Sequence, residues 1–177
     1  MSTATLYFDG ACEPNPGGLA TYGAVLTAPG LSASVSGVAA EGPAATNNVA
    51  EWCGLEKGLE LLLGMKTAAL TDLVIRGDSQ LVIKQLRGEW GCRQLHLAVA
   101  RDRCLALVSA LGLGWSAEWV PREENAEADR LTVEAWVAKA GQTFPERPAW
   151  QKTRKRPAGN APTSSDVTGA SAVRTGS

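Results

Sequence analysis

The opening stretch of the chain admits few arrangements. Strand-like segments at 4–9, 19–28 and 31–39 are separated only by Glu13-Pro14-Asn15-Pro16-Gly17-Gly18 and by Pro29-Gly30. Runs of proline and glycine mark turns, and such short links join strands as antiparallel neighbours. The pattern then changes. Thr46 can cap a helix running to Leu63, which Gly64 ends. Residues 72–78 read as a strand and Ser79 to Leu86 as a short helix, broken by Gly88-Glu89-Trp90-Gly91. A longer amphipathic helix covers 95–111, a strand covers Ser116 to Val120 before Pro121, and a last helix runs from Glu123 to Ala140. The element order is βββ-α-β-α-α-β-α. It predicts an α/β fold with a five-stranded mixed sheet and helices on both faces.

From about Gly141 the periodicity collapses. The expected organisation is one folded domain over residues 1–141 and an extended to disordered tail over 142–177. Residues 151–177 are rich in Ala, Gly, Ser, Thr and Pro and hold a basic cluster, Lys152-Thr153-Arg154-Lys155-Arg156. Without that stretch, the first 150 residues carry 12 basic against 17 acidic groups. A negative body is poor non-specific bait for nucleic acid, so duplex binding needs a local patch, cations or the tail. No apolar run approaches the ~20 residues of a membrane span. Met1-Ser2-Thr3 leads almost directly into a strand, so no signal peptide is expected. Cys12, Cys53, Cys92 and Cys104 form no CxxC pair and have no His at zinc spacing, which favours a cytoplasmic chain with reduced thiols.

Four acids sit where a carboxylate is costly. Asp9 closes the apolar run Leu6-Tyr7-Phe8, and Asp78 closes Leu73-Val74-Ile75. On a helical wheel Glu51 shares a face with Leu55, Leu59 and Leu62, and Asp129 with Val133, Trp136 and Ala140. Each alone is equally a cap or turn residue. Together, two strand-end acids and two inward helical acids meet at one sheet edge if the two strands are parallel neighbours. Converging carboxylates call for divalent cations, and hard oxygen ligands suit Mg²⁺ or Mn²⁺ over zinc.

Four ordered motifs now carry a resemblance. They are Tyr7-Phe8-Asp9-Gly10-Ala11-Cys12 with Asn15-Pro16-Gly17, then Thr46-Asn47-Asn48-Val49-Ala50-Glu51, Asp78-Ser79-Gln80, and Asn125-Ala126-Glu127-Ala128-Asp129. The chain resembles the ribonuclease H type 1 family over roughly residues 4–140. The resemblance implies an endonuclease cutting the RNA strand of an RNA–DNA hybrid and leaving 5′-phosphate and 3′-hydroxyl ends. It implies two Mg²⁺ ions, replaceable by Mn²⁺, held by Asp9, Glu51, Asp78 and Asp129. Cys12, Asn47, Asn48 and Gln80 match positions that touch sugars and base edges in the minor groove, where only RNA shows 2′-hydroxyls. Asn15 and Thr46 match positions that hold a DNA-strand phosphate, although Thr46 is also a helix cap and Asn15 a turn residue. The expected protein is a monomer with no membrane or small-molecule cofactor.

The chain departs from many bacterial members in three places. They carry a His in the loop before the last Asp, whereas His96 here lies in the 95–111 helix and reads as a packing or surface residue. Arg122 stands in that loop instead, as in a shorter, archaeal-like subgroup. It stays protonated, so its role would be phosphate binding or product release, with Glu124 as an alternative proton carrier, or it pairs with Glu123 or Glu127. The basic protrusion is also missing between Leu86 and Leu95, and Pro43-Ala44-Ala45 replaces an Arg before Thr46. Two rivals remain: another polynucleotidyl transferase or nuclease on the same fold, and an inactive nucleic-acid-binding module. The TNN run argues against the first, and the intact acid set against the second. If the tail compensates for the missing protrusion, truncation at Gln151 weakens hybrid binding at moderate salt and lowers the slope of log Kd against log salt, while turnover stays within about twofold. Affinity unchanged by truncation would remove the tail from the binding surface.

Overall fold

The computed structural model describes residues 2–65 and 69–146. Residues 147–177, with the expected tail, its basic cluster and Trp150, lie outside the described residues. Strands β1 (Thr3–Glu13), β2 (Leu19–Ala28) and β3 (Leu31–Glu41) form the antiparallel meander, and α1 (Asn47–Leu63) follows. Then come β4 (Asp72–Gly77), α2 (Gln80–Leu86), α3 (Leu95–Leu111), β5 (Gly114–Trp119), a 3-10 turn (Arg122–Asn125) and α4 (Ala126–Ala140). The sheet order is β3-β2-β1-β4-β5, with β4 parallel to both β1 and β5. This is the expected five-stranded mixed sheet. The compact unit reaches Pro145, and Phe144 meets Trp136 edge-on with ring centroids 5.1 Å apart.

Side-chain alternation along β1 and β2 separates the two helical layers. Leu6 and Ala24 face α1, where a side chain at Gly58 would collide with both. That face joins Phe8, Leu26, Ile75 and Leu73 to Trp52, Leu55, Leu59 and Leu62, with Leu97, Cys104 and Val108 of α3 behind them. Thr21 and Gly23 face the other way, onto α4. Thr21 Oγ1 donates to Thr132 O at 3.0 Å, and Thr132 Oγ1 donates back to Ala128 O at 2.9 Å. A Cβ on Gly23 would stand 2.4 Å from Ala128 O and 2.9 Å from Thr132 N. Only a residue without a side chain lets α4 seat so close.

Several expected boundaries shift, each for a physical reason. β1 does not stop at Asp9 but continues to Glu13, because β2 pairs with it throughout, Asp9 against Gly23. Its parallel pairing with β4 does end, at Tyr7 with Arg76. The last helix does not begin at Glu123. Asn125 leaves helical geometry (φ −105°, ψ 15°), its side chain drawn into the interior, and α4 starts after it. The buried stripe of α4 is Ala128, Thr132 and Trp136, so Asp129 lies on its border, and Ala140 is exposed. β5 begins at Gly114 and ends at Trp119.

The close seat of α4 sets a test. Gly23→Ala is expected to lower stability by about 1–3 kcal/mol in urea denaturation, the scale of overpacking a tight core. Gly91→Ala, where a Cβ meets nothing within 4 Å, stays within about 0.5 kcal/mol. Equal effects at the two sites would contradict this account of the α4 layer.

Candidate metal and nucleic-acid site

The parallel register between β1 and β4, extended by two residues, puts Asp9 level with Asp78. Asp9 therefore stands where β1 has lost its β4 neighbour, with its carboxylate on the α4 side, beside Gly23. Glu51 reaches the same place because Gly10 lets the first turn of α1 rest on β1. A Cβ on Gly10 would stand 2.3 Å from Glu51 N and 2.4 Å from the Ala50 carbonyl carbon. Asp129 comes from the first turn of α4, the helix seated on Gly23.

Asp9 is only 5% exposed. Its Oδ2 is buried and accepts no hydrogen bond among the described residues. Burial first, then the charges of Asp78, Glu51 and Asp129, push its pKa well above the usual carboxylate value, and Arg122 alone pulls it down. The four acids therefore converge electrostatically on one buried oxygen pair. They do not stand as a closed cage: among the described residues no three His, Cys, Asp or Glu side chains are grouped to hold an ion. Two of the other three acids are engaged by neighbouring side chains. Asp78 Oδ1 accepts from Asn125 Nδ2 at 3.1 Å, and Asp129 Oδ1 accepts from Arg122 Nη2. An all-oxygen donor set around a buried carboxylate with an unmet oxygen still fits a hard divalent cation.

A second cluster lies where β1, the following turn and α1 meet. Gly17 N donates to Ala45 O at 2.9 Å, tying the turn to the segment before α1. Asn47 Oδ1 accepts from Cys12 N at 2.6 Å, and Asn47 N donates to Asn15 Oδ1 at 3.1 Å. Thr46 Oγ1 caps α1 by accepting from Val49 N at 3.2 Å. Burial pushes the Cys12 thiol pKa up, and its Sγ donates to Pro14 O at 3.3 Å.

The comparisons with known proteins bear on this arrangement. A family model described as reverse transcriptase-like matches residues 7–135. The crystal structure of ribonuclease H1 from the halophilic archaeon Halobacterium salinarum superposes with a TM-score of 0.63 at 38% identity, covering 77% of this chain and 98% of that one. The chain belongs to the type 1 ribonuclease H family. The N-terminal ribonuclease H domain of Rv2228c from Mycobacterium tuberculosis gives a TM-score of 0.68 at 33% identity, over 80% of this chain and 98% of that one. A ribonuclease H1 isolated from compost by a metagenomic approach, LC11, was solved in complex with an RNA/DNA hybrid. It gives 0.69 at 28% identity, over 78% and 99%. The chain spans 62% of the length of the curated Halobacterium salinarum ribonuclease HI and 35% of the bifunctional protein Rv2228c.

Within this ribonuclease H fold, Asp9, Glu51, Asp78, Asp129 and Arg122 form one group, and Cys12, Asn15, Thr46 and Asn47 another. Gln80 opens α2 two residues past Asp78. Asn48 lines a cavity of about 550 Å³ with Leu81, Gln85, Trp90 and Leu97. Arg122 pairs with neither Glu123 nor Glu127, since Glu127 engages Arg130 at 2.6 Å. His96 is an exposed residue of α3. In the segment between α2 and α3 stands the exposed Trp90, its ring centre 4.7 Å from Lys84 Nζ of α2.

Sequence reasoning missed three contributors. Gly10 and Gly23 admit the helices that bring Glu51 and Asp129, and a glycine beside a strand-borne acid was the available sign. Asn125 was legible only as part of the last motif, yet it is 1% exposed and bonded to Asp78.

The raised Asp9 pKa predicts a pH-dependent penalty. Native Asp9 holds its proton to higher pH than the unfolded chain does, so the fold loses stability as pH rises from the ordinary carboxylate range to the raised native value. In EDTA at pH 7, Asp9→Asn should melt above the unsubstituted chain, by about 2–4 °C per kcal/mol relieved. The gap should close toward pH 4. A gap that is absent at pH 7, or that widens on acidification, would contradict this.

Proposed function

We propose that the chain is a metal-dependent endoribonuclease that hydrolyses the RNA strand of RNA–DNA hybrids, leaving 5′-phosphate and 3′-hydroxyl ends. The observation that carries this reading is the burial of Asp9 among Glu51, Asp78 and Asp129, with the asparagine cluster near Gly10 and the start of α1. The LC11 relative bound to an RNA/DNA hybrid supports the same substrate class.

In this reading Asp9, Glu51, Asp78 and Asp129 hold two Mg²⁺ ions, with Mn²⁺ able to substitute. When bound, they polarise the scissile phosphate, lower the pKa of the attacking water and stabilise the departing 3′ oxygen. The chain supplies the rest. Asp9 anchors the site from inside the sheet, and cation binding there favours its ionised form over its protonated one. Asn47 stands beside the backbone of Cys12, and amides there read groove edges of any sequence because they both donate and accept. Asn48 and Gln80 extend that contact along the RNA strand, while Asn15 and Thr46 hold the DNA-strand phosphate. A guanidinium offers hydrogen-bond donors and no acceptor, so Arg122 binds phosphate or receives product. The protein acts as a cytoplasmic monomer. Among the described residues, no helix is long and apolar enough to cross a membrane.

The test is cleavage of end-labelled RNA–DNA hybrid beside single-stranded RNA, double-stranded RNA and duplex DNA, with Mg²⁺, Mn²⁺ or EDTA. Hybrid RNA should be cut to 3′-hydroxyl ends, EDTA should abolish cutting, and Asp9→Asn should lower it at least about 10²–10³-fold. Full activity in that variant, or cutting in EDTA, would overturn the proposal.

A further inference from the structure

We infer that Asn125 is the positioning residue of the acid site: its amide sets how Asp78 presents its carboxylate and ties together the segments that carry Asp9, Asp78 and Asp129. The inference rests on the metal-dependent reading above. The Asn125 side chain lies almost wholly inside the protein. Its Nδ2 donates to Phe8 O at 2.9 Å and to Asp78 Oδ1 at 3.1 Å. Phe8 immediately precedes Asp9, and Asn125 immediately precedes α4, whose first turn holds Asp129. One amide group therefore links β1, the end of β4 and the start of α4.

The backbone at Asp78 is fixed separately. Trp119 Nε1 donates to Asp78 O at 2.9 Å, and Val120 N donates to Gly77 O at 3.0 Å. β5 thus holds the main chain, and the direction of the carboxylate falls to Asn125. With Oδ1 engaged, Oδ2 is the oxygen left to meet a cation. The residue type matters as well. A lysine or arginine here would neutralise Asp78 and compete with metal, whereas an amide orients the carboxylate and leaves its charge intact.

Stability alone does not account for this asparagine. Its own Oδ1 is buried and accepts no hydrogen bond among the described residues. An unmet buried acceptor is a cost to the fold. A side chain kept for packing would avoid that cost, so the Nδ2 contacts are what the position retains.

Two variants of the full chain test the inference: Asn125→Ala, and Asn125→Leu, which keeps the branched outline of the side chain, is somewhat larger, and loses both hydrogen bonds. Mn²⁺ binding is followed by the electron paramagnetic resonance of the free ion, fold by thermal melting, and hybrid cleavage across a Mg²⁺ series. Melting should remain cooperative in at least one variant. In that variant Mn²⁺ affinity should fall about 10-fold or more, and the Mg²⁺ concentration for half-maximal cleavage should rise by a similar factor. Much of the maximal rate should return at high Mg²⁺. A cooperatively folded variant with unchanged Mn²⁺ affinity and Mg²⁺ midpoint overturns the assignment of Asn125. An unsubstituted chain that binds no Mn²⁺ overturns the metal-site reading itself, and this inference with it.

Discussion

A carboxylate buried beside three others is the constraint on which the rest of the structure turns. Ordinary surface ion pairs such as Lys57–Glu60 contribute at most about 1 kcal/mol and could be rearranged freely. The environment of Asp9 cannot, because burial and like charge act on it together and in the same direction. The site is therefore a place where local stability is given up for chemistry. The fold tolerates it because the surrounding elements are held by contacts that do not involve the acids: the Leu6, Phe8 and Ile75 core on one face and the threonine bonds to α4 on the other.

Close approach is the means by which distant segments deliver their acids. Gly10 meets the backbone at Ala50 and Glu51, Gly54 meets Asp9 O, and Gly23 meets Ala128 and Thr132. Each glycine lies where a helix crosses a strand next to a functional residue. The helices are thus lowered onto the sheet at the points where their carboxylates approach Asp9, and the glycines contribute through position alone.

Much of this was legible in the chain. The meander was readable because Pro29-Gly30 and the 13–18 run leave no room for a crossover, and the helices because Thr46 and Ser79 are true caps, accepting from Val49 N and Val82 N. The acids were legible as a set because each interrupts an apolar pattern. What escaped was long-range. Nothing local says that β1 continues past Asp9, since β2 supplies that pairing. Nothing local says that Asn125 turns inward, because its partners, Phe8 and Asp78, lie far along the chain. The inward face of α4 keeps the expected Trp136 but takes Ala128 and Thr132 in place of Asp129 and Val133, because Thr132, a polar residue, is fully buried through bonds to Ala128 and Thr21. Nothing in the residue pattern places Lys84 over Trp90, because it is the turn after α2 that brings the ring back, with Trp90 N donating to Lys84 O at 3.2 Å.

The central claim is that a divalent cation, rather than a proton, is the working partner of Asp9. Titration calorimetry with Mg²⁺ over a pH series from the ordinary carboxylate range upward, in two buffers of different ionisation heat, tests it most directly. The account predicts saturable binding with net proton release, and loss of that release in Asp9→Asn. Binding without proton release, or proton release undiminished in Asp9→Asn, would contradict it.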